Sequence, residues 1–191
     1  MYTLFLPLPS NISMKIGVIA DTHIPDLRRS LPARVMEIFS SVEIVLHAGD
    51  ITALDVLQQL QESVSLTFAV YGDHDTPEVK TYLQESQVLE FGGLRVGLIH
   101  GHPEARSGIN DRIQKLLRRD PYNPEYIQFI LSRFNNVDAI VFGHTHIPYA
   151  KVHEGVFLFN PGSINPSNNN EPSVGLLEIT NRGIRGRVLP I

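Results

Sequence analysis

The 191-residue sequence predicts an α/β fold of four layers, an αββα sandwich in which two mixed β-sheets pack face to face with helices outside. Three observations carry that expectation. As far as residue 84, short apolar runs alternate with amphipathic stretches, which is the rhythm of βαβ units. Beyond it, apolar runs are separated by Gly, Pro and Asn turns at hairpin spacing, so antiparallel strands must join the sheets. A hydrophobic content of 42% suffices for a substantial core.

Residues 15–20 read as a mostly apolar strand that stops at Asp21, and 42–47 as a second that stops at Gly49-Asp50. Helical spacing follows each, with Val35, Ile38 and Phe39 in 32–39 and Leu54, Leu57 and Leu60 in 53–60. Residues 65–71 give a third strand, 72–75 its loop and 78–84 a short helix. Strands at 88–91 and 94–100 are joined by Gly92-Gly93, a hairpin signal. Runs at 138–142, 150–153, 156–160, 174–179 and 184–189 continue as short strands. Between 102 and 136, helical patterning at 109–117 and 125–134 is split by Asp120-Pro121-Tyr122-Asn123-Pro124. This excursion leaves the chain straight after His100, and reads either as outer-layer packing or as a wall of a substrate pocket.

Residues 14–191 are expected to form one domain, and residues 1–13 a disordered or loosely packed extension. The extension has no basic leading region and Pro7 breaks its apolar stretch, so a secretory signal is not expected, and Met14 is an alternative start. No run of eighteen apolar residues is present, so a membrane-spanning helix is not expected. A cytoplasmic location fits. The absence of cysteine excludes disulfides, thiolate ligands and cysteine nucleophiles, so any metal must bind through nitrogen and oxygen. A net charge of −4 without a dense Lys/Arg tract argues against strong duplex nucleic-acid binding. A small phosphorylated substrate remains compatible, because bound cations supply a local positive field. Homo-oligomerisation is left open.

The eight histidines carry the chemical signal. His23, His47, His74, His100, His144 and His146 fall at or beside predicted strand ends, His102 follows closely and His153 ends another strand. Strand ends in α/β sheets are where several loops converge from a rigid base. The strings are Asp21-Thr22-His23, Gly49-Asp50, Gly72-Asp73-His74-Asp75, His100-Gly101-His102 and Gly143-His144-Thr145-His146. Residues two apart near a strand end project the same way, which suits Asp21 with His23 and His144 with His146 as paired ligands.

In this order, and together with Asn160-Pro161-Gly162-Ser163, the strings resemble the calcineurin-like metallophosphoesterase superfamily, most of all its small single-domain prokaryotic phosphodiesterases. The resemblance runs from Met14 to Leu189 and implies the metallophosphoesterase form of the sandwich. It implies a binuclear centre in which Asp21, His23, Asp50 and His146 hold the first metal, Asp50 bridges, and Asp73, His100 and His144 complete the second. It implies hydrolysis of phosphodiester bonds by a metal-bridging water or hydroxide, for which two cations roughly 3.5–4 Å apart are the general requirement. His74 is then the catalytic general acid, outside the ligand shell, with Asp73, His74 and His102 as substrate contacts. Two divalent ions are expected, manganese first, with zinc, iron, nickel or magnesium also suited to an O/N donor set.

Each residue has a plainer reading. Asp21 and Asp50 alone suit helix N-caps, and a lone His100 suits a satisfied structural histidine. His47 and His153 are expected to be structural, His102 fits loop packing as well as substrate contact, and the Asn160–Ser163 turn is expected to support the metal-bearing loops through its backbone. Asp73 departs from the family pattern, which has asparagine there, and sets three carboxylates against two cations. The competing functions are a phosphomonoesterase, a nuclease, or a non-catalytic protein-binding scaffold like the retromer subunit of this architecture. Retention of His74 speaks against the scaffold and Asp73 keeps it alive.

Overall fold

The computed structural model describes residues 5–6, 13–103, 113, 116–117, 119–166 and 170–191. In chain order its strands are β1 (Phe5–Leu6), β2 (Met14–Ile19), β3 (Ile44–Ala48), β4 (Leu66–Val70), β5 (Ser86–Phe91), β6 (Leu94–Ile99), β7 (Ala139–Val141), β8 (Tyr149–His153), β9 (Val156–Asn160), β10 (Ser173–Thr180) and β11 (Gly183–Pro190). The helices are α1 (Ala33–Phe39), α2 (Asp55–Gln61), α3 (Pro77–Tyr82) and α4 (Pro124–Ser132).

One sheet has the order β11-β10-β2-β3-β4 and the other β1-β5-β6-β7-β9-β8. In the first, β2, β3 and β4 are parallel, with Ile16 beside Ile44 and Ile44 beside Leu66, while β10 and β11 run antiparallel. In the second, β5 and β6 form a hairpin and β6, β7 and β9 are parallel. Both sheets are mixed, as the sequence predicts. Gly92 and Gly93 close the hairpin at φ 59° and 83°, the left-handed pair that a two-residue turn matching strand twist requires.

The layering follows from side-chain alternation. In β3 every residue is buried, as expected of a central parallel strand covered on both faces. Ile44, Leu46 and Ala48 join Ile16, Val18, Val96, Leu98 and Val141 in the core between the sheets. Val45 points the other way, into a cluster with Val35, Phe39, Val56 and Leu60 from α1 and α2. On the far sheet, Ile99, Ile140 and Leu158 meet Tyr126, Ile127 and Ile130 of α4. The result is the predicted αββα sandwich.

Two helices begin at side-chain caps followed by proline: Thr76 accepts from the Val79 amide and Asn123 from the Tyr126 amide. The predicted helix at 78–84 stops early because Leu83 turns extended and Gln84 bridges to Val70. Within the predicted extension 1–13, Phe5–Leu6 pairs in parallel with Glu90 and Phe91 of β5. Of the predicted helix at 109–117, only residues 113, 116 and 117 are described, and they are helical; most of the loop after Pro103, read as outer-layer packing or a pocket wall, lies outside the described residues. Among the described residues no helix is long and apolar enough to cross a membrane.

Candidate metal centre

Asp21, Asp50, Asp73, His100 and His144 each lie one to three residues beyond the C-terminal end of a strand, on β2, β3, β4, β6 and β7 respectively. Because these strands are parallel neighbours within two stacked sheets, their ends open on one side of the sandwich. The backbone there is unusual. Asp21, His23, Asp50, His144 and His146 all have positive φ, between 46° and 66°. Asp and His tolerate this region better than most residues, yet such positions persist only where surrounding contacts enforce them, and they cluster at functional sites. Here the enforcement is visible: the amides of Asp21 and His23 donate to the carbonyls of Gly49 and Asp50 at 3.0 Å, and Gly143 donates to His100 at 3.0 Å. A Cβ on Gly49, itself at φ 89°, would come within 2.7 Å of the His100 ring, and one on Gly72 would overlap Asp50 Oδ1.

The side chains gather into two compact sets. One ligand atom each from Asp21, His23, Asp50 and His146 lie within 4.8 Å of one another, and the same holds for Asp73, His100 and His144. Asp50 faces both sets, with Oδ2 3.6 Å from His23 Nε2 and 3.3 Å from His100 Nε2. Asp73 Oδ1 sits 3.1 Å from His100 Nε2 and 3.3 Å from His144 Nδ1. His146 Nε2 is 3.4 Å from both Asp21 Oδ1 and His23 Nε2. A third grouping joins Asp50, Asp73 and His74, whose side chain is 64% exposed and whose Nδ1 lies 2.9 Å from Asp50 Oδ2.

The charges in this cluster are out of balance. Among the described residues, no lysine or arginine pairs with the carboxylates of Asp21, Asp50 or Asp73. Burial alone would raise the pKa of Asp50 and of Asp73, but the imidazoles outweigh it, His100 for Asp50 and both His100 and His144 for Asp73, and hold the two carboxyls well below the usual range. Burial likewise opposes protonation of His100, yet hydrogen bonds to Asp50 and Asp73 push its pKa well above the ordinary value. His146 is raised against burial by Asp21, whereas for His23 burial wins and the pKa falls. Asp21 is fully buried and its Oδ2 has no hydrogen-bond partner. A buried carboxylate oxygen with no donor is costly, and clustered carboxylates with only imidazoles for company are the surroundings a divalent cation relieves. The donor set therefore fits hard or borderline metals bound through oxygen and nitrogen.

Much of the support comes from residues that the sequence does not mark, or marks only for a lesser role. Asp75, 4% exposed, accepts from the amides of Asp50 at 3.1 Å, Thr52 at 2.5 Å and Gly72 at 2.7 Å, tying the loops after β3 and β4 together. Asn165 donates to the carbonyls of Asp21 and Thr22, and Ser163 donates to Asp21. Asn160 donates to the Gly143 carbonyl at 2.7 Å. The Asn160–Ser163 turn thus supports the loops through side chains, and not through its backbone as the sequence suggests. Asp75 ends the Gly72-Asp73-His74-Asp75 string, but nothing in sequence marks a carboxylate as taking backbone amides.

The remaining histidines fall as follows. His47 is fully buried, its Nε2 3.1 Å from Thr22 Oγ1, and burial lowers its pKa to about 3. His102 belongs to neither metal-capable set; its ring lies 5.5 Å from that of His100 and 6.4 Å from that of His144, and burial lowers its pKa to about 4. His153 stacks on Tyr149, whose hydroxyl lies 2.7 Å from its Nε2.

The chain is similar to known proteins in sequence and in fold. The chain is 34% identical over 176 residues to a probable metallophosphoesterase of Methanothermobacter thermautotrophicus, covering 92% of each chain. It is 25% identical over 191 residues to a phosphodiesterase of Methanocaldococcus jannaschii, covering 92% of this chain and 99% of the relative. Among solved structures, the zinc complex of wild-type Vps29 from Entamoeba histolytica superposes with a TM-score of 0.61 at 22% identity, covering 93% of this chain and 99% of that one. The family model of the calcineurin-like phosphoesterase superfamily domain matches residues 14–182, and the chain belongs to that superfamily.

Proposed function

We propose that this chain hydrolyses phosphodiesters with two bound divalent cations, manganese first among them. The observation that carries the reading is the position of Asp50, whose Oδ2 lies 3.6 Å from His23 Nε2 and 3.3 Å from His100 Nε2, so that one carboxylate reaches both ligand sets. Asp21, His23 and His146 would hold one ion, Asp73, His100 and His144 the other, and Asp50 would serve both. Bound there, the cations supply Lewis acidity, polarising phosphoryl oxygens and lowering the pKa of the attacking water.

The chain's own residues account for the rest. Asp50 engages His74 through Nδ1, and this exposed ring then offers Nε2 to a leaving oxygen as a proton donor. Asp73, a member of the second set, and His102, whose ring lies 5.5 Å from that of His100, are the other candidate substrate contacts. The lack of lysine or arginine pairing with the cluster, among the described residues, favours a singly charged diester over a dianionic monoester. The phosphodiesterase relative from Methanocaldococcus jannaschii points the same way.

The test is metal analysis of the purified protein together with hydrolysis of an aryl phosphodiester. Chelation should abolish turnover and added manganese restore it. Full activity in metal-stripped protein with chelator present would refute the mechanism. Stoichiometric metal without turnover of either diester or monoester would favour the protein-binding scaffold, the reading that Asp73 keeps alive.

A further inference from the structure

The chain between β6 and β7 does more than cover the outer sheet. Tyr122 and Tyr126, four residues apart around the start of α4, point their hydroxyls at the two loops that deliver the second ligand set's histidines. Tyr126, fully buried, donates to the carbonyl of Gly101 at 3.1 Å, directly beside His100. Tyr122 lies 2.8 Å from Thr145 Oγ1 and donates to the carbonyl of Ile147, in the loop that carries His144 and His146.

The hydroxyls of Tyr122 and Thr145 carry one proton each and share the Ile147 carbonyl: Thr145 Oγ1 lies 2.8 Å from the Tyr122 hydroxyl and 3.4 Å from that carbonyl, and it also accepts from Asn160 Nδ2 at 3.1 Å. Both tyrosines are themselves immobilised. Tyr122 lies 4.0 Å from the Tyr149 ring by centroids and packs edge-on against Phe142. Its amide donates to Asp120 Oδ1 at 3.0 Å, and the Asn123 cap fixes the Tyr126 amide at 3.0 Å. His144 and His146 need such restraint, since both stand at positive φ.

We infer that Tyr122 and Tyr126 are positioning residues, a pair of hydroxyl clamps that sets the spacing between His100 and His144 and so the affinity of the second metal position. The inference rests on the two-cation reading above. Groups that orient ligands in this way typically change metal affinity by 10–100-fold when removed.

Tyr122→Phe keeps the ring against Tyr149 and Phe142 and removes only the hydroxyl. Calorimetric titration of metal-free protein with manganese should show one of two binding events weakened about 10-fold and the other unmoved, with the thermal midpoint of the metal-free protein little changed. Turnover should fall with KM for an aryl diester unaltered. Thr145→Val should produce the same shift, and the double variant should be no worse than the poorer single one, since both break one network. Wild-type affinity in Tyr122→Phe, or additive losses in the double variant, would overturn the clamp. Wild-type protein that binds no manganese would instead overturn the metal reading on which it rests. Tyr126→Phe gives the independent arm: it should weaken the same binding event through the His100 loop, and an unchanged isotherm there would remove Tyr126 from the pair.

Discussion

Asp75 accepts the amide proton of Asp50 at 3.1 Å, so a carboxylate on the loop after β4 holds the backbone of the residue that faces both ligand sets. The same carboxylate takes the amide of Thr52, a β-branched residue at φ 74°, a conformation that needs outside support. Asp75→Asn preserves shape but turns one acceptor oxygen into a donor facing a backbone N–H. We expect a stability loss of about 1–3 kcal/mol by denaturant titration, from the amide left unsatisfied. Manganese affinity should fall with it. A variant with an unmoved denaturation midpoint would show that these amides find other partners at little cost.

His74 separates ligand from acid. It is the most solvent-facing member of the clusters, and its Nδ1 contacts the shared Asp50. His74→Ala should lower turnover by roughly 10²–10⁴-fold, the range for losing a general acid, while metal content stays intact. The loss should shrink for diesters with very good leaving groups. If elemental analysis instead found one metal missing, His74 would be a ligand, completing the Asp50 and Asp73 grouping.

His47 gives the fold a pH signature apart from the metal ligands. Fully buried against Thr22, it is neutral in the folded protein, its pKa lowered to about 3 from the ordinary 6.5. Between these values the unfolded chain takes up a proton that the folded one refuses, so stability falls as pH drops. It is unaffected above pH 6.5. The slope from this group alone approaches about 1.4 kcal/mol per pH unit. His47→Gln removes the titration, so its stability should decline less between pH 6 and 4 than that of the wild type. Chemical denaturation of both proteins with chelator present measures this, and parallel curves would exclude the assignment.

What the sequence made legible was periodic or positional. Apolar alternation exposed the strands, Gly92-Gly93 exposed the hairpin, and carboxylates and histidines at strand ends marked the side chains that the structure gathers into two sets able to hold a metal. What it hid depends on contacts across long separations. Asn165 reaches the carbonyls of Asp21 and Thr22, and Tyr126 reaches Gly101, through hydrogen bonds that leave no period in the chain. The two residues of β1 were equally illegible, because Phe5–Leu6 is too short to show alternation and gains its strand character only beside Glu90 and Phe91.

Asp73 is where physical reasoning gives a sign that family likeness does not. Its Oδ1 sits between His100 Nε2 at 3.1 Å and His144 Nδ1 at 3.3 Å, and its side chain is 37% exposed, so in the proposed mechanism it would be both a ligand and open to the substrate. Asp73→Asn removes one negative charge and keeps an oxygen donor of similar size. Affinity for manganese at that position should fall, because a neutral amide attracts a cation less than a carboxylate does. At saturating manganese the opposite trend governs rate. With less charge neutralised, bound cations would supply stronger Lewis acidity to the phosphoryl group and the attacking water, and the site would repel the anionic diester less. Turnover should therefore rise, and the acidic limb of the pH profile should move to lower pH. Manganese titration of initial rates for both proteins, with pH profiles at saturation, separates the two effects. Tighter manganese binding by the variant, or a lower saturated rate with the acidic limb unmoved, would mean that the carboxylate acts as something other than a ligand, such as a base or an anchor for His74, whose Nδ1 lies 3.5 Å from Asp73 Oδ2.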